Sequence, residues 1–127
     1  MAVRFESGKP IFLQLEEIMR NDIAAGRYQP DEKLPGVRDL ALWANVNPNT
    51  MQRALSDLEA EGLVVTRGTS GRFVTSDREM IESARQKIIK ELTDEFVEKC
   101  ASVGVMPAEA AELLLKRDNN ERTENHE

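Results

Sequence analysis

Asn49, Gln52, Arg53 and Ser56 are spaced three, one and three residues apart, which on an α-helix places four polar side chains on one face. Their chemistry is hydrogen bonding rather than bond breaking. An Asn or Gln amide can pair bidentately with the edge of adenine, and an Arg guanidinium with guanine. Met51, Ala54, Leu55 and Leu58 take the opposite face and would hold such a helix in a core. A solvated amphipathic helix carries the same pattern, so its neighbours in the chain must decide between the two readings.

Other chemistry has little to build on. His126 is the only histidine and stands in a polar terminal run, so no metal centre, no cofactor and no imidazole catalysis are expected. Cys100 is the only cysteine and cannot close an internal disulfide. It reads as a small apolar residue on a packed helix face, with a bridge between subunits or a thiol sensor as the alternatives. The carboxylate pairs Glu16–Glu17 and Glu95–Glu98 lack an accompanying nucleophile and base; no catalytic residue is named and no enzyme is expected.

The elements that must position the polar face are marked by their boundary residues. A first helix is expected from Ile11 to Ala25, with Phe12, Leu15, Met19 and Ile23 at helical spacing and Gly26 as its stop. A second, short helix runs from Val37 to Trp43 or Ala44, with Gly36 as N-cap and Asp39 near the positive end of its dipole. Asn47 and Pro48 are an N-cap and a first helical residue, and the third helix ends near Glu61-Gly62. Two β-rich runs follow, Leu63–Thr66 and Arg72–Thr75, joined by a loop containing Gly68 and Gly71. Three helices and a hairpin in this order form a winged helix-turn-helix.

Charge alone would not point to nucleic acid, because the formal net charge is −6. Residues 1–78 hold ten Lys and Arg against eleven Asp and Glu, whereas residues 79–127 hold seven against twelve. The acidic excess therefore belongs to the C-terminal piece. No apolar run approaches the roughly 20 residues of a membrane span, and the N-terminus lacks the apolar core of a secretory signal. A cytoplasmic protein with no membrane partner is expected.

At these residues the sequence resembles the GntR family of bacterial transcription regulators. The resemblance lies in Pro10-Ile11-Phe12-Leu13-Gln14-Leu15, Leu34-Pro35-Gly36-Val37-Arg38-Asp39-Leu40-Ala41, Val46-Asn47-Pro48-Asn49-Thr50, Arg53 to Leu63, and the hairpin from Thr66 to Val74. It implies that Arg38 touches DNA at the start of the second helix and that Asn49, Thr50, Gln52 and Arg53 form the reading surface. It further implies that Gly71 lets the wing approach the minor groove, with Arg67 and Arg72 as phosphate or groove contacts. The chain departs from the family pattern at Gly36 (usually serine), Asp31 (usually glycine), Trp43, Ala44 and Arg72 (commonly threonine).

The remaining chain reads as a long helix from Glu79 to Ser102, stopped by Gly104, and a shorter helix opened by Pro107. Ile81, Ile88, Leu92, Phe96, Cys100 and Val103 form an apolar stripe that needs a partner. A second copy of the chain is the expected one, with folding back into a monomer as the competing reading. This short two-helix segment resembles the YtrA-like subgroup, in which it pairs two subunits and the regulators usually repress neighbouring transporter operons. The expected architecture is mainly α with a small β-hairpin: residues 1–78 a winged helix-turn-helix (helix-turn-helix about 37–60), 79–117 a helical dimerisation segment, and 118–127 a disordered polar tail. The expected function is sequence-specific regulation from an inverted-repeat operator in double-stranded DNA, by a homodimer that represses, with any small-molecule effector unknown. A winged-helix protein-interaction module is the alternative.

Overall fold

The computed structural model describes residues 3–125, with side chains to residue 122; His126 lies outside the described residues. The elements are α1 (Ile11–Ala24), α2 (Val37–Ala44), α3 (Pro48–Ala60), β1 (Val64–Thr66), β2 (Arg72–Val74), α4 (Arg78–Ser102) and α5 (Pro107–Asn125). The chain divides into two units, Met1–Lys87 and Ile88–Glu127.

In the first unit α3 packs against α1, α2 and β1. Leu15, Met19 and Ile23 from α1 meet Leu40, Ala41 and Ala44 from α2 and Met51, Ala54, Leu55 and Leu58 from α3, all buried. Val64 and Val74 close this core from the hairpin, with Leu34 and Leu63 beside them. Truncating a fully buried leucine such as Leu58 to alanine would cost about 2–5 kcal/mol, so the inward face of α3 is fixed by packing. Gln14 ties the preceding segment to α1: its Oε1 accepts from the Glu6 amide at 2.7 Å, and its Nε2 donates to the Glu6 and Lys9 carbonyls.

Four helices end in one way. The amides of Gly26, Asn45, Gly62 and Gly104 each reach back to the carbonyl three residues earlier, and the next amide reaches back five. This paired arrangement satisfies carbonyls that the helix end would leave open and calls for a left-handed residue. Asn45 supplies it at φ 55°, a conformation its short polar side chain tolerates. At Gly62 the requirement is also steric, because a Cβ there would lie 2.8 Å from the Met80 Sδ.

The hairpin is antiparallel, with Val64 opposite Val74, Val65 opposite Phe73 and Thr66 opposite Arg72. Its second strand has company on both edges. The Leu34 amide donates to the Arg72 carbonyl at 2.9 Å, the Val74 amide to the Glu32 carbonyl at 2.8 Å, and Lys33 pairs with Phe73. The segment after Pro30 thus adds a short third lane that covers the edge of the wing.

Two boundaries differ from the sequence expectation. Asp77 caps α4, its Oδ1 accepting from the Glu79 and Met80 amides, and Met80, Ile81 and Ala84 then pack on the core. The first unit therefore runs to Lys87 rather than to residue 78. Helix α5 continues to Asn125, where the polar composition of 118–127 pointed to disorder. No glycine or proline follows Pro107, and Asp118 and Arg122 pair one turn apart at 3.4 Å, so nothing in the chain breaks the helix.

Candidate nucleic-acid interface

The start of α3 is built as its residues dictate. Pro48 occupies the first turn, where its missing N–H costs nothing, and the Asn47 Oδ1 accepts from the Asn49 amide at 2.8 Å. With Met51, Ala54, Leu55 and Leu58 buried, Asn49, Gln52, Arg53 and Ser56 are left exposed together, and Thr50 is half-buried beside them. One face holds the helix and the other is open to solvent.

Arg53, Arg67 and Arg72 each have a partner within the chain. The Arg53 guanidinium lies 3.6 Å from the centroid of the Phe12 ring, a stacked cation–π contact that orients it across α1. Phe12, expected in the core stripe of α1, is the half-buried bed for this arginine. Arg67 sits 4.5 Å over the Phe73 ring and pairs with Asp31, at the first residue of the lane beside the wing. Asp31 itself is left-handed at φ 69°, the position where the family pattern has glycine.

Arg72 is the most constrained of them. Its Nε donates to the Glu59 Oε1 at 2.6 Å and its Nη1 to the Gln52 Oε1 at 3.3 Å. The Thr66 hydroxyl donates to the same Glu59 oxygen at 2.7 Å. That Thr66 hydrogen bond, together with the Arg72 guanidinium, holds the Glu59 carboxyl below its ordinary range despite partial burial. The family resemblance implied phosphate or groove contacts for Arg72; in the structure its guanidinium donates to a carboxylate and an amide of α3.

Between the start of α2 and the wing is a cleft of about 310 Å³, lined by Lys33 to Val37 and Ser70 to Arg72. Gly71 turns the wing at φ +114°, and a Cβ there would meet the Lys33 Cε at 3.3 Å. The aliphatic stem of Lys33 thus lies across the wing glycine, a neighbour the sequence reading missed because it depends on the third lane. Arg38 is exposed on the first turn of α2.

The apolar stripe of the C-terminal segment divides. Ile81 is partly buried against the core of the first unit and Cys100 is buried, unlike the open residues of the stripe. For Ile81 the cause is the Asp77 cap, which turns the first residues of α4 onto the core. Cys100 stands at the reversal after α4, where its carbonyl receives the Val103 and Val105 amides. In the second unit Leu92 and Val103 are 62% and 73% exposed and Ile88 and Phe96 half-buried, with Leu113, Leu114 and Leu115 of α5 also open. Among the described residues no group of His, Cys, Asp and Glu is placed to hold a metal ion, and no helix is long and apolar enough to cross a membrane.

A short helix, a second helix capped by Asn47 and a paired wing over one core define a winged helix-turn-helix domain of the DNA-binding kind. The bacterial regulatory proteins of the gntR family match over residues 12–74. Similarity extends beyond that region to an uncharacterized HTH-type transcriptional regulator of Bacillus subtilis, YhcF, 34% identical over 109 residues that span 86% of this chain and 90% of the relative. The HTH-type transcriptional repressor YtrA of Bacillus subtilis is 30% identical over 100 residues, 78% of this chain and 77% of its own. The chain belongs to the gntR family of regulators. A solved GntR family transcriptional regulator from Listeria monocytogenes superimposes with a TM-score of 0.81 at 32% identity, over 88% of this chain and 98% of that one. The AraR DNA-binding domain, solved in complex with operator ORX1, matches 59% of this chain and 95% of its own at a TM-score of 0.53 and 25% identity.

Proposed function

We propose that this regulator is a repressor that binds an inverted-repeat operator as a homodimer, with α3 entering the major groove. The observation that carries the reading is the division of α3. Its apolar face is locked in the core while Asn49, Gln52 and Arg53 stand exposed together beside the wing. A helix held in this way reads base edges with the residues near its N-terminus. Asp57 and Glu59 lie in the second half of α3, away from the end that enters the groove. In this reading the exposed Arg38 and Arg67 touch the backbone and fix register, and the tight turn at Gly71 lets the wing tip approach the minor groove. The repressor role follows that of YtrA, and the operator partner follows the AraR complex.

Dimerisation rests on the second unit, whose Leu92, Val103 and α5 leucines are exposed. Apolar area of this kind is covered by a partner in most proteins, and a two-fold pair presents two identical readers to a palindromic site. Selecting bound duplexes from a random pool tests all of this at once. The expected product is an inverted repeat whose binding weakens steeply with salt. Recovery of a single asymmetric half-site bound by one chain would refute the dimeric reader, and recovery of no preferred sequence would favour a protein-interaction module.

A further inference from the structure

We propose that Lys33 is a further DNA-binding residue, its ammonium taking a backbone phosphate at the cleft between the start of α2 and the wing. The inference rests on the reading of α3 as the base-contacting helix.

The third lane sets the direction of Lys33. The Leu34 amide bonds to the Arg72 carbonyl and the Val74 amide to the Glu32 carbonyl, so Lys33 and Phe73 stand opposite each other as a non-hydrogen-bonded pair. Side chains opposed in this way share one face of a sheet, and successive residues along a strand take opposite faces. The lanes therefore sort their side chains. Val64, Val74 and Leu34 turn to the core, and Thr66 and Arg72 turn on the same side to Glu59. Lys33 and Phe73 turn to the other side, where Arg67 lies over the Phe73 ring. Lys33 is thus a cation on the outer face of the wing, which the sequence did not single out because the lane that carries it forms only in the fold.

Two features leave its charge available. Lys33 is exposed and lies across Gly71: a Cβ on that glycine would be 3.3 Å from the Lys33 Cε, the carbon that carries the ammonium. The missing side chain makes room for the charged end of the lysine beside the wing loop. The carboxylates just before it in the chain are engaged elsewhere, Asp31 with Arg67 and Glu32 with the Gln29 amide at 3.0 Å. Lys33 itself has no ion pair among the described residues.

The cleft of about 310 Å³ that Lys33 lines also borders Val37 at the start of α2 and Ser70 of the wing. In the proposed complex α2 begins at the backbone and the wing reaches the minor groove, so the sugar–phosphate ridge that borders the groove passes this cleft. A lysine there supplies a point charge on a flexible stem, which suits a phosphate oxygen.

The test is titration of the selected operator over a range of salt with the full chain and three variants. Lys33→Met keeps the stem across Gly71 and removes the charge. The slope of log affinity against log salt should shrink by about 0.9 for each half-site bound, and affinity near 0.15 M salt should fall about fivefold per half-site. The selected sequence and the urea midpoint should stay as they were, since the residue neither reads a base nor fills the core. Lys33→Arg keeps the charge and should keep the slope. Lys90→Met removes the same charge from α4 and should also leave the slope in place. An unchanged slope in Lys33→Met would overturn the proposal, as would an equal fall in Lys90→Met, which would reduce the effect to net charge. A slope lost in Lys33→Arg, or a base preference altered in Lys33→Met, would also overturn it. Operator binding that persists with an unchanged slope leaves the reading by α3 standing, whereas an unaltered protein that binds no duplex refutes that reading and the phosphate contact with it.

Discussion

Glu16 stands on α1, buried against α3, and replacing it with glutamine should stabilise the protein at neutral and alkaline pH. Its side chain is buried and its Oε1 has no hydrogen-bond partner among the described residues. Loss of water pushes its pKa from 4.5 up to about 7, aided by a hydrogen bond to Asp57 that only the protonated acid can donate and by the charges of Asp57 and Glu61, with Arg20 opposing. The folded chain therefore holds this proton more tightly than the unfolded one. The stabilisation tied to the proton is complete below the unfolded value of 4.5 and is lost as pH rises through about 7. At about 1.4 kcal/mol for each tenfold change in proton affinity, the loss is on the order of 3 kcal/mol. Glu16→Gln removes the charge and keeps a donor for Asp57. The variant should exceed the unaltered protein by roughly 2–3 kcal/mol at pH 8 and match it within about 1 kcal/mol at pH 5. Urea unfolding at several pH values, with the midpoint and slope both measured, reads this directly. A difference that does not change between pH 5 and 8, or a variant less stable at pH 8, would refute the reasoning.

Three other outcomes follow from the geometry. Asn47→Ala removes the cap on the α3 amides and should cost about 1 kcal/mol in urea unfolding, with little change in the bases selected. Gly71→Ala forces a Cβ at a left-handed turn against the Lys33 stem; a loss of roughly 1–2 kcal/mol is expected, with operator binding weakened in a gel-shift titration. Changing Leu92 and Phe96 together to polar residues should give a monomer by sedimentation and reduce full-operator affinity by roughly 10²–10⁴, the gain that linking two readers supplies. Retained dimers would move the subunit contact to α5.

Much of this architecture is legible in local chemistry. Gly36, Asn47-Pro48, Gly62 and Gly104 mark helix ends because caps and left-handed stops are properties of a few adjacent residues. The reading face is legible for the same reason, since a helical repeat separates Met51, Ala54, Leu55 and Leu58 from Asn49, Gln52 and Arg53. What escaped depends on residues distant in sequence. The lane from Glu32 to Leu34 exists only because β2 has an open edge to receive it. Arg72 meets Glu59 only after the hairpin folds back on α3, and Phe12 meets Arg53 only when α1 and α3 pack. Ile81 had the right spacing for the C-terminal stripe but lies one turn after a cap that aims it at the core. The end of α5 escaped for a different reason: composition argued for disorder, whereas no residue there interrupts a helix already begun.

The stacking of Arg53 on Phe12 has a thermodynamic consequence for recognition. A long arginine loses side-chain freedom worth up to about 2 kcal/mol when it is immobilised. On this protein part of that ordering has occurred before DNA arrives, because the ring restricts where the guanidinium can point. Where Arg53 meets a base as proposed, Phe12 of α1 alters how tightly that base is held without reading it. Exchanging Phe12 for a flexible aliphatic side chain would leave the hydrogen-bonding group of Arg53 intact and raise the entropy lost on binding. Affinity would then be adjustable from the scaffold, with the preferred base left as it was.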